Sequence, residues 1–246
     1  MNIKAERGYL IPAFNTTDVD YVTCAEKLRD SILKFHPTAD VTILQTHDLP
    51  FGDLGGFKND WQVFYASPYR QTIKLEADMI ATSPIDHWWT LFENKDVVVS
   101  QGCRDMYNQP ATSRAYRKIF DNNKLPDVYN AITYWRLSTT AQTFFDTVHS
   151  IFEYWDDYKK ILKMSDDTPT TDVVYAMAVN IVGFDLVTLP KGLGPTIVHM
   201  KQHINGLMTD NWVKELICED TNWGFRIHTV AQNGLVHYHI KDFVCE

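Results

Sequence analysis

The sequence predicts an α/β protein with a mixed, mostly parallel central sheet flanked by helices. Three observations predict it. Short apolar runs rich in β-branched residues alternate with stretches of helical period, the first three elements read strand, helix, strand, and that order is the unit of a parallel sheet. With 246 residues, 45% of them hydrophobic and 22% charged, the chain can bury roughly 70–75% of its unfolded surface without disulfides or a structural metal. Disordered and fibrous architectures are excluded. No repeat, low-complexity tract or Pro/Gly/Ser linker interrupts it, so residues 1–246 read as a single domain.

The elements are read in chain order. RGYLIPA, residues 7–13, is a buried strand that stops at the turn FNTTDVDY. From Thr17 to Phe35 the apolar positions Val19, Val22, Ala25, Leu28, Ile32 and Leu33 recur every three or four residues, an amphipathic helix with Thr16 or Thr17 as N-cap. His36-Pro37 ends it, and Asp40–Leu44 is a β-branched strand. Ser67–Thr82, SPYRQTIKLEADMIAT, holds a strand in which two carboxylates interrupt an apolar run. Asp96–Ser100 and Tyr129–Arg136 are further strands, with a polar segment, 101–128, between them suited to cover a site. Ser138 or Thr139 caps a helix whose apolar face is Phe144, Phe145, Val148, Ile151, Phe152 and Trp155. Thr170–Val182 is a second helix ended by Gly183, and Phe184–Leu189 a strand stopped by Pro190. Two histidine-bearing strands, Thr196–Lys201 and Leu235–Lys241, complete the chain.

Charge and cysteines narrow the class. The balance of 31 acidic against 23 basic residues, a net charge of −8, argues against a chain built around nucleic-acid binding, which needs clustered Lys and Arg. Cys24, Cys103, Cys218 and Cys245 form no C-x-x-C pair and fit reduced thiols. No apolar run approaches a membrane span, and MNIKAERGYL carries charges where a signal peptide is apolar, so the expected address is the cytoplasm.

Three groups of residues carry chemistry. Glu76-Ala77-Asp78 places two carboxylates on one side of an extended chain, where they can share a divalent cation. A solvated acidic turn is the bland alternative. His199-Met200-Lys201 and His239-Ile240-Lys241, the latter preceded by His237, each join an imidazole, a ligand for a borderline cation, to a lysine that can neutralise phosphate oxygens. Histidines satisfied by backbone groups are the alternative there. Thr170-Thr171-Asp172 opens a helix, where the helix dipole favours an acid.

Taken in order, these residues resemble a GT-A-type nucleotide-sugar glycosyltransferase, which implies a Rossmann-like GT-A domain with a nucleotide-binding half, 1–100, and an acceptor half, 101–246, ending in metal- and phosphate-binding strands. The segment Ser67–Ala81 is similar to that family's D-x-D region, with Glu76-Ala77-Asp78 as the motif and Glu in place of its first Asp. On the resemblance, Asp78 and a late histidine, His199 or His239, bind Mn2+ or Mg2+, and Glu76 contacts the ion through water or binds ribose. Pro12, Ala13, Phe14, Asn15 and Thr17, with Arg70, hold the nucleotide, Phe14 offering a stacking face. Lys201 or Lys241 neutralises the diphosphate. Asn130, on a strand where Ile132 stands in place of a common glycine, and Asp172 face the sugar or acceptor. The spellings KLEADMIAT and GLVHYHIKDF also resemble transferases of large bacterial viruses, some of which glycosylate hydroxymethylated cytosine in DNA. That implies a UDP-sugar donor, a DNA acceptor and the host cytoplasm.

Two other classes fit the same residues. A metal-dependent phosphohydrolase would use Glu76, Asp78 and the late histidines around a water, and a non-catalytic nucleotide- or carbohydrate-binding protein would use the abundant Trp and Tyr. An acceptor groove is expected from Trp88-Trp89, from the 101–128 segment with Arg104, Arg114, Arg117 and Lys118, and from residues 202–228.

Overall fold

Alternating side chains along β1 (Ala5–Pro12) decide the layering: Tyr9 and Ile11 enter one core while Leu10 enters the other. The structure is a computed structural model that describes residues 3–109, 117–165, 167–190, 192–195, 197–200, 211–221 and 224–244. After β1 come α1 (Tyr21–Phe35), β2 (Val41–Leu44), α2 (Val63–Ala66), β3 (Tyr69–Leu75), β4 (Met79–Ala81), α3 (His87–Phe92), β5 (Val97–Gln101), α4 (Lys118–Asn123) and β6 (Val128–Arg136). The later elements are α5 (Thr139–Glu153), α6 (Trp155–Leu162), α7 (Thr171–Val182), α8 (Phe184–Val187), β7 (Ile197–Met200), β8 (Cys218–Thr221), β9 (Gly224–Ile227), β10 (Val230–Ala231) and β11 (Leu235–Tyr238).

The central sheet has the order β2-β1-β3-β6-β5. Both neighbours of β1 run parallel to it, while β6 pairs antiparallel with β3 and β5. The sheet is therefore mixed, as expected. A second sheet, β4-β11-β7, and a third, β10-β9-β8, are built from the later chain. One core lies between the central sheet, α1, α3 and the β4-β11-β7 sheet, and the other between the central sheet and α5 and α7. Fully buried Trp135, Phe144 and Phe145 anchor the latter, each worth about 1.5–3 kcal/mol or more as apolar burial.

Local chemistry sets the helix ends, and here the structure corrects two expectations. The N-cap of α1 is Asp20 and not Thr16 or Thr17: its carboxylate accepts from the amides of Val22 and Thr23 at 3.1 and 3.3 Å, and an ionised cap also suits the helix dipole. Ser138 caps α5 as expected, accepting from the Ala141 amide. Residues 184–187 form a short helix, α8, where a strand was expected. The apolar residues of Phe184–Leu189 suit a strand, yet the chain turns at Gly183, whose φ of +121° favours glycine, and α8 packs against β5, an edge of the central sheet. The strand expected over 235–241 ends at Tyr238, and Lys241 opens a short 3-10 turn.

No helix among the described residues is long and apolar enough to cross a membrane. Cys24, Cys103 and Cys218 form no disulfide among the described residues, and Cys245 lies outside them.

Candidate metal and nucleotide site

In the central sheet the chain leaves β1 for β2 on one side and has β3 on the other, so the topological switch point lies at the carboxyl ends of β1 and β3. Such a switch point is where open α/β sheets bind ligands. The 13–17 loop, the start of α1 and the Glu76–Asp78 bend all lie at these strand ends.

Glu76 and Asp78 are held from two sides. The Glu76 amide donates to the Ala131 carbonyl of β6, and the Asp78 carbonyl accepts from the Tyr238 amide of β11. Antiparallel pairing sets Met79 of β4 opposite His237 of β11. This brings the His237 Nε2 atom within 3.3 Å of both the Glu76 and the Asp78 carboxylates. Lys241, on the 3-10 turn beyond β11, donates to the other oxygen of Asp78. Tyr21, on the first turn of α1, stands beside the pair, and burial together with the Asp78 and Glu76 charges pushes its phenol up to about 12.

Electrostatics split the two carboxyls. Burial pushes Glu76 up to about 7, with the His237 charge opposing and the Asp78 charge adding to the rise. Burial would raise Asp78 too, but the His237 and Lys241 cations outweigh it and hold Asp78 well below the usual carboxylate range. The same carboxylates raise the His237 imidazole against the effect of its burial. Negative charge is thus concentrated on Asp78, as a cation ligand requires.

Two groups of donors meet the spacing of a metal site: Glu76, Asp78 and His237, and His199, His237 and His239, with the chosen atoms of each group within 4.8 Å of one another. Two carboxylates and an imidazole are a fitting donor set for Mn2+, and the carboxylates alone for Mg2+. The sequence pattern pointed to His199 or His239 and passed over His237, the histidine that touches the carboxylates. Its signal was its place two residues before His239 on a strand, hence on the same face.

Behind the site lies a buried polar network. Lys74 of β3, 1% exposed, donates to Asp60 at 2.9 Å and to the Asn130 side chain, and Tyr175 of α7 donates to Asp60. The Asn130 amide donates to Asp172 at 3.0 Å, and the other oxygen of Asp172 lies 3.6 Å from the Arg117 guanidinium. Arg117 is fully buried, 3.3 Å from Asp127 and stacked on the ring of Tyr129 at 3.7 Å. Nothing in the sequence pattern marked Lys74, Asp60 or Tyr175.

The other expected residues are scattered more widely. Asn15 is engaged at the α1 cap, donating to Asp20 and accepting from the Val22 amide, Ala13 is buried against β2, and Phe14 packs at the edge of the α5–α7 core. Pro12 ends β1, and Thr17 is exposed on the loop. Arg70 is not brought to the cluster: it sits at the amino end of β3, exposed and paired with Glu6, six residues from Glu76. Arg117 is no part of a solvated basic face, since its charge is spent on Asp127, Asp172 and Tyr129. Trp88 and Trp89 are both buried, the Trp89 indole donating to Tyr9, and Trp88 borders a groove of about 670 Å³ with Ser83, His87 and Gly234 at the other end of β4 and β11. Lys201 and Arg114 lie outside the described residues.

The fold is similar to that of solved glycosyltransferases. The chain superposes on the bifunctional glycosyltransferase WbbM with a TM-score of 0.53 at 9% identity, over 95% of this chain and 46% of that one, so it spans about half of WbbM. On mouse xyloside xylosyltransferase 1 the TM-score is 0.51 at 9% identity, over 96% of this chain and 98% of that one. No protein-family model and no curated protein sequence matches the chain.

Proposed function

We propose that the protein is a metal-dependent glycosyltransferase that moves a sugar from a nucleoside diphosphate sugar, with UDP as the carrier, to an acceptor hydroxyl. One observation carries this reading: Glu76, Asp78, His237 and Lys241 converge at the carboxyl ends of β1 and β3 in a chain with a GT-A fold. Transfer requires the negative charge that builds on the departing diphosphate to be stabilised. Asp78, Glu76 and His237 would hold Mn2+ or Mg2+, which when bound supplies that stabilisation as a Lewis acid. Lys241, paired here with Asp78, is the cation at hand for phosphate oxygens.

The loop 12–17 is read as the nucleotide contact, because it leaves β1 beside the carboxylates. Asp172 is assigned to the sugar or acceptor side, with Asn130 and Arg117 fixing its carboxylate. It acts as general base if the anomeric centre inverts, and stabilises an oxocarbenium-like centre if it retains. For the acceptor we propose the hydroxymethyl group of cytosine in DNA, which rests on the resemblance of the KLEADMIAT and GLVHYHIKDF spellings to viral transferases alone. Phosphate contacts would then fall to Arg104 and Lys118, both exposed.

Mass spectrometry tests the reading: the protein, Mn2+, a panel of UDP-sugars and hydroxymethylcytosine DNA are incubated and the product nucleosides weighed. A hexose or pentose mass added to hydroxymethylcytosine supports both donor and acceptor. Release of UDP without modified DNA supports the transferase and rejects the acceptor, and no UDP release rejects the donor class.

A further inference from the structure

The carboxylate site leaves most of the local histidine chemistry unused. In the β4-β11-β7 sheet, β7 and β11 run parallel with His199 directly opposite His237. His239 lies two residues on, and its amide donates to Met200 of β7. The three rings therefore meet, with centroids 4.7–4.9 Å apart. The Nε2 atoms of His199 and His239 are 3.0 Å apart. Two imidazole nitrogens bound to one ion at about 2.05 Å lie about 2.9 Å apart at a right angle and about 3.3 Å apart at a tetrahedral one, so this spacing matches a shared ion with little movement. His237 has a second nitrogen besides the one facing the carboxylates. That Nδ1 is buried and makes no hydrogen bond among the described residues, so His237 would bind one ion at each nitrogen, its ring proton being released to solvent when the second ion binds. His239 is exposed and gives an ion a way in.

We propose that His199, His237 and His239 form a second cation site, adjoining the carboxylate site through His237 and selective for a borderline transition-metal ion such as Zn2+, Co2+ or Ni2+. Selectivity comes from donor type. Imidazole suits these ions, whereas Mg2+ takes oxygen ligands and surrenders its waters reluctantly. The inference does not depend on the transferase reading, since no nucleotide or sugar enters it.

Co2+ is the probe, added to metal-free full-length protein without nucleotide and followed by its visible absorption and by calorimetry. The wild type should take up two ions, and a tenfold excess of Mg2+ should fail to displace the one in the histidine set. His239→Gln should bring the count to one and weaken the histidine-set absorption at least tenfold, and Asp78→Asn should remove the other ion and leave that absorption in place. Circular dichroism melts confirm that both variants fold, and His199→Gln repeats the first result if His239→Gln does not. A single ion lost in both variants, full displacement by Mg2+, or no uptake of Co2+ without nucleotide would overturn the proposal. None of these bears on UDP-sugar turnover, which is measured separately.

Discussion

His237 stands 3.3 Å from Asp78 although 158 residues separate them in sequence. The contact is made by a three-residue strand, β4, which leaves the Glu76–Asp78 bend and pairs with β11 in the small sheet. The bend is thereby clamped between the two sheets, since Glu76 is also tied to β6. The backbone of the bend is held at both carboxylate-bearing residues, which limits the entropy lost when their side chains take up a cation.

Lys74 is the cation that pairs with Asp60 in the network beneath the site. Lys74→Met leaves the Asp60 carboxylate bonded to Tyr175 but without its cation, and takes the ammonium donor from the Asn130 side chain, and breaking a buried pair from one side costs about 3–5 kcal/mol. Urea unfolding should show that loss. Adding Asp60→Asn to Lys74→Met removes the stranded charge and should recover part of it. An unchanged urea midpoint for Lys74→Met contradicts the network.

Arg117 links the 117–128 segment to α7 through Asp127 and Asp172 while its guanidinium lies on the Tyr129 and Phe120 rings. Lysine keeps the charge but has neither the planar fork nor the stacking face. Arg117→Met should lower stability by about 3 kcal/mol, and Arg117→Lys should recover less than half of that loss. Equal stability of Arg117→Lys and wild type would show that charge alone matters there.

Asp20 fixes the start of α1 and, through Asn15, the loop before it. The Thr23 hydroxyl and amide, then the Asn15 amide, hold its carboxyl below the usual carboxylate value. Because the folded value is the lower one, the stabilisation is fully present above the unfolded value of about 3.9 and is lost as pH falls through the folded value. Asp20→Ala should therefore melt lower than wild type at pH 7, and the gap should narrow steadily below about pH 4. A gap that holds its size at pH 2–3 would mean that Asp20 acts without its charge.

How much of the fold and site was legible in the sequence depended on whether the cause was local. The period-3.6 spacing of Leu28 and Ile32, the β-branched run Val97–Val99 and the Ser138 cap are local, and each formed as read. The E-x-D spacing showed that two carboxylates meet. Their support is not local: Lys74 reads as one more polar residue within a strand, and only the sheet register and α7 reveal that it faces Asp60, Asn130 and Tyr175. The same holds for Arg117, which stands beside other basic residues in sequence yet is closed into the interior. His237 was passed over because choosing among three neighbouring histidines needs the pairing of β4 with β11. In residues 184–187 local apolar composition misled, since the conformation of the chain after α7 is decided by the turn at Gly183 and the packing against β5.

The most direct test of the account is thermal unfolding of wild type and Asp78→Asn with UDP, in Mn2+ and then in EDTA. Ligand at about a hundred times its dissociation constant stabilises the folded state by about 2.7 kcal/mol, and a chain of this size gains about 2–4 °C per kcal/mol. The account predicts that UDP with Mn2+ raises the wild-type midpoint by about 5–10 °C, and that EDTA or Asp78→Asn removes the rise, each protein being compared with its own ligand-free midpoint because Asp78→Asn also breaks the pairs with His237 and Lys241. A rise of the same size in EDTA, or in Asp78→Asn, would contradict it.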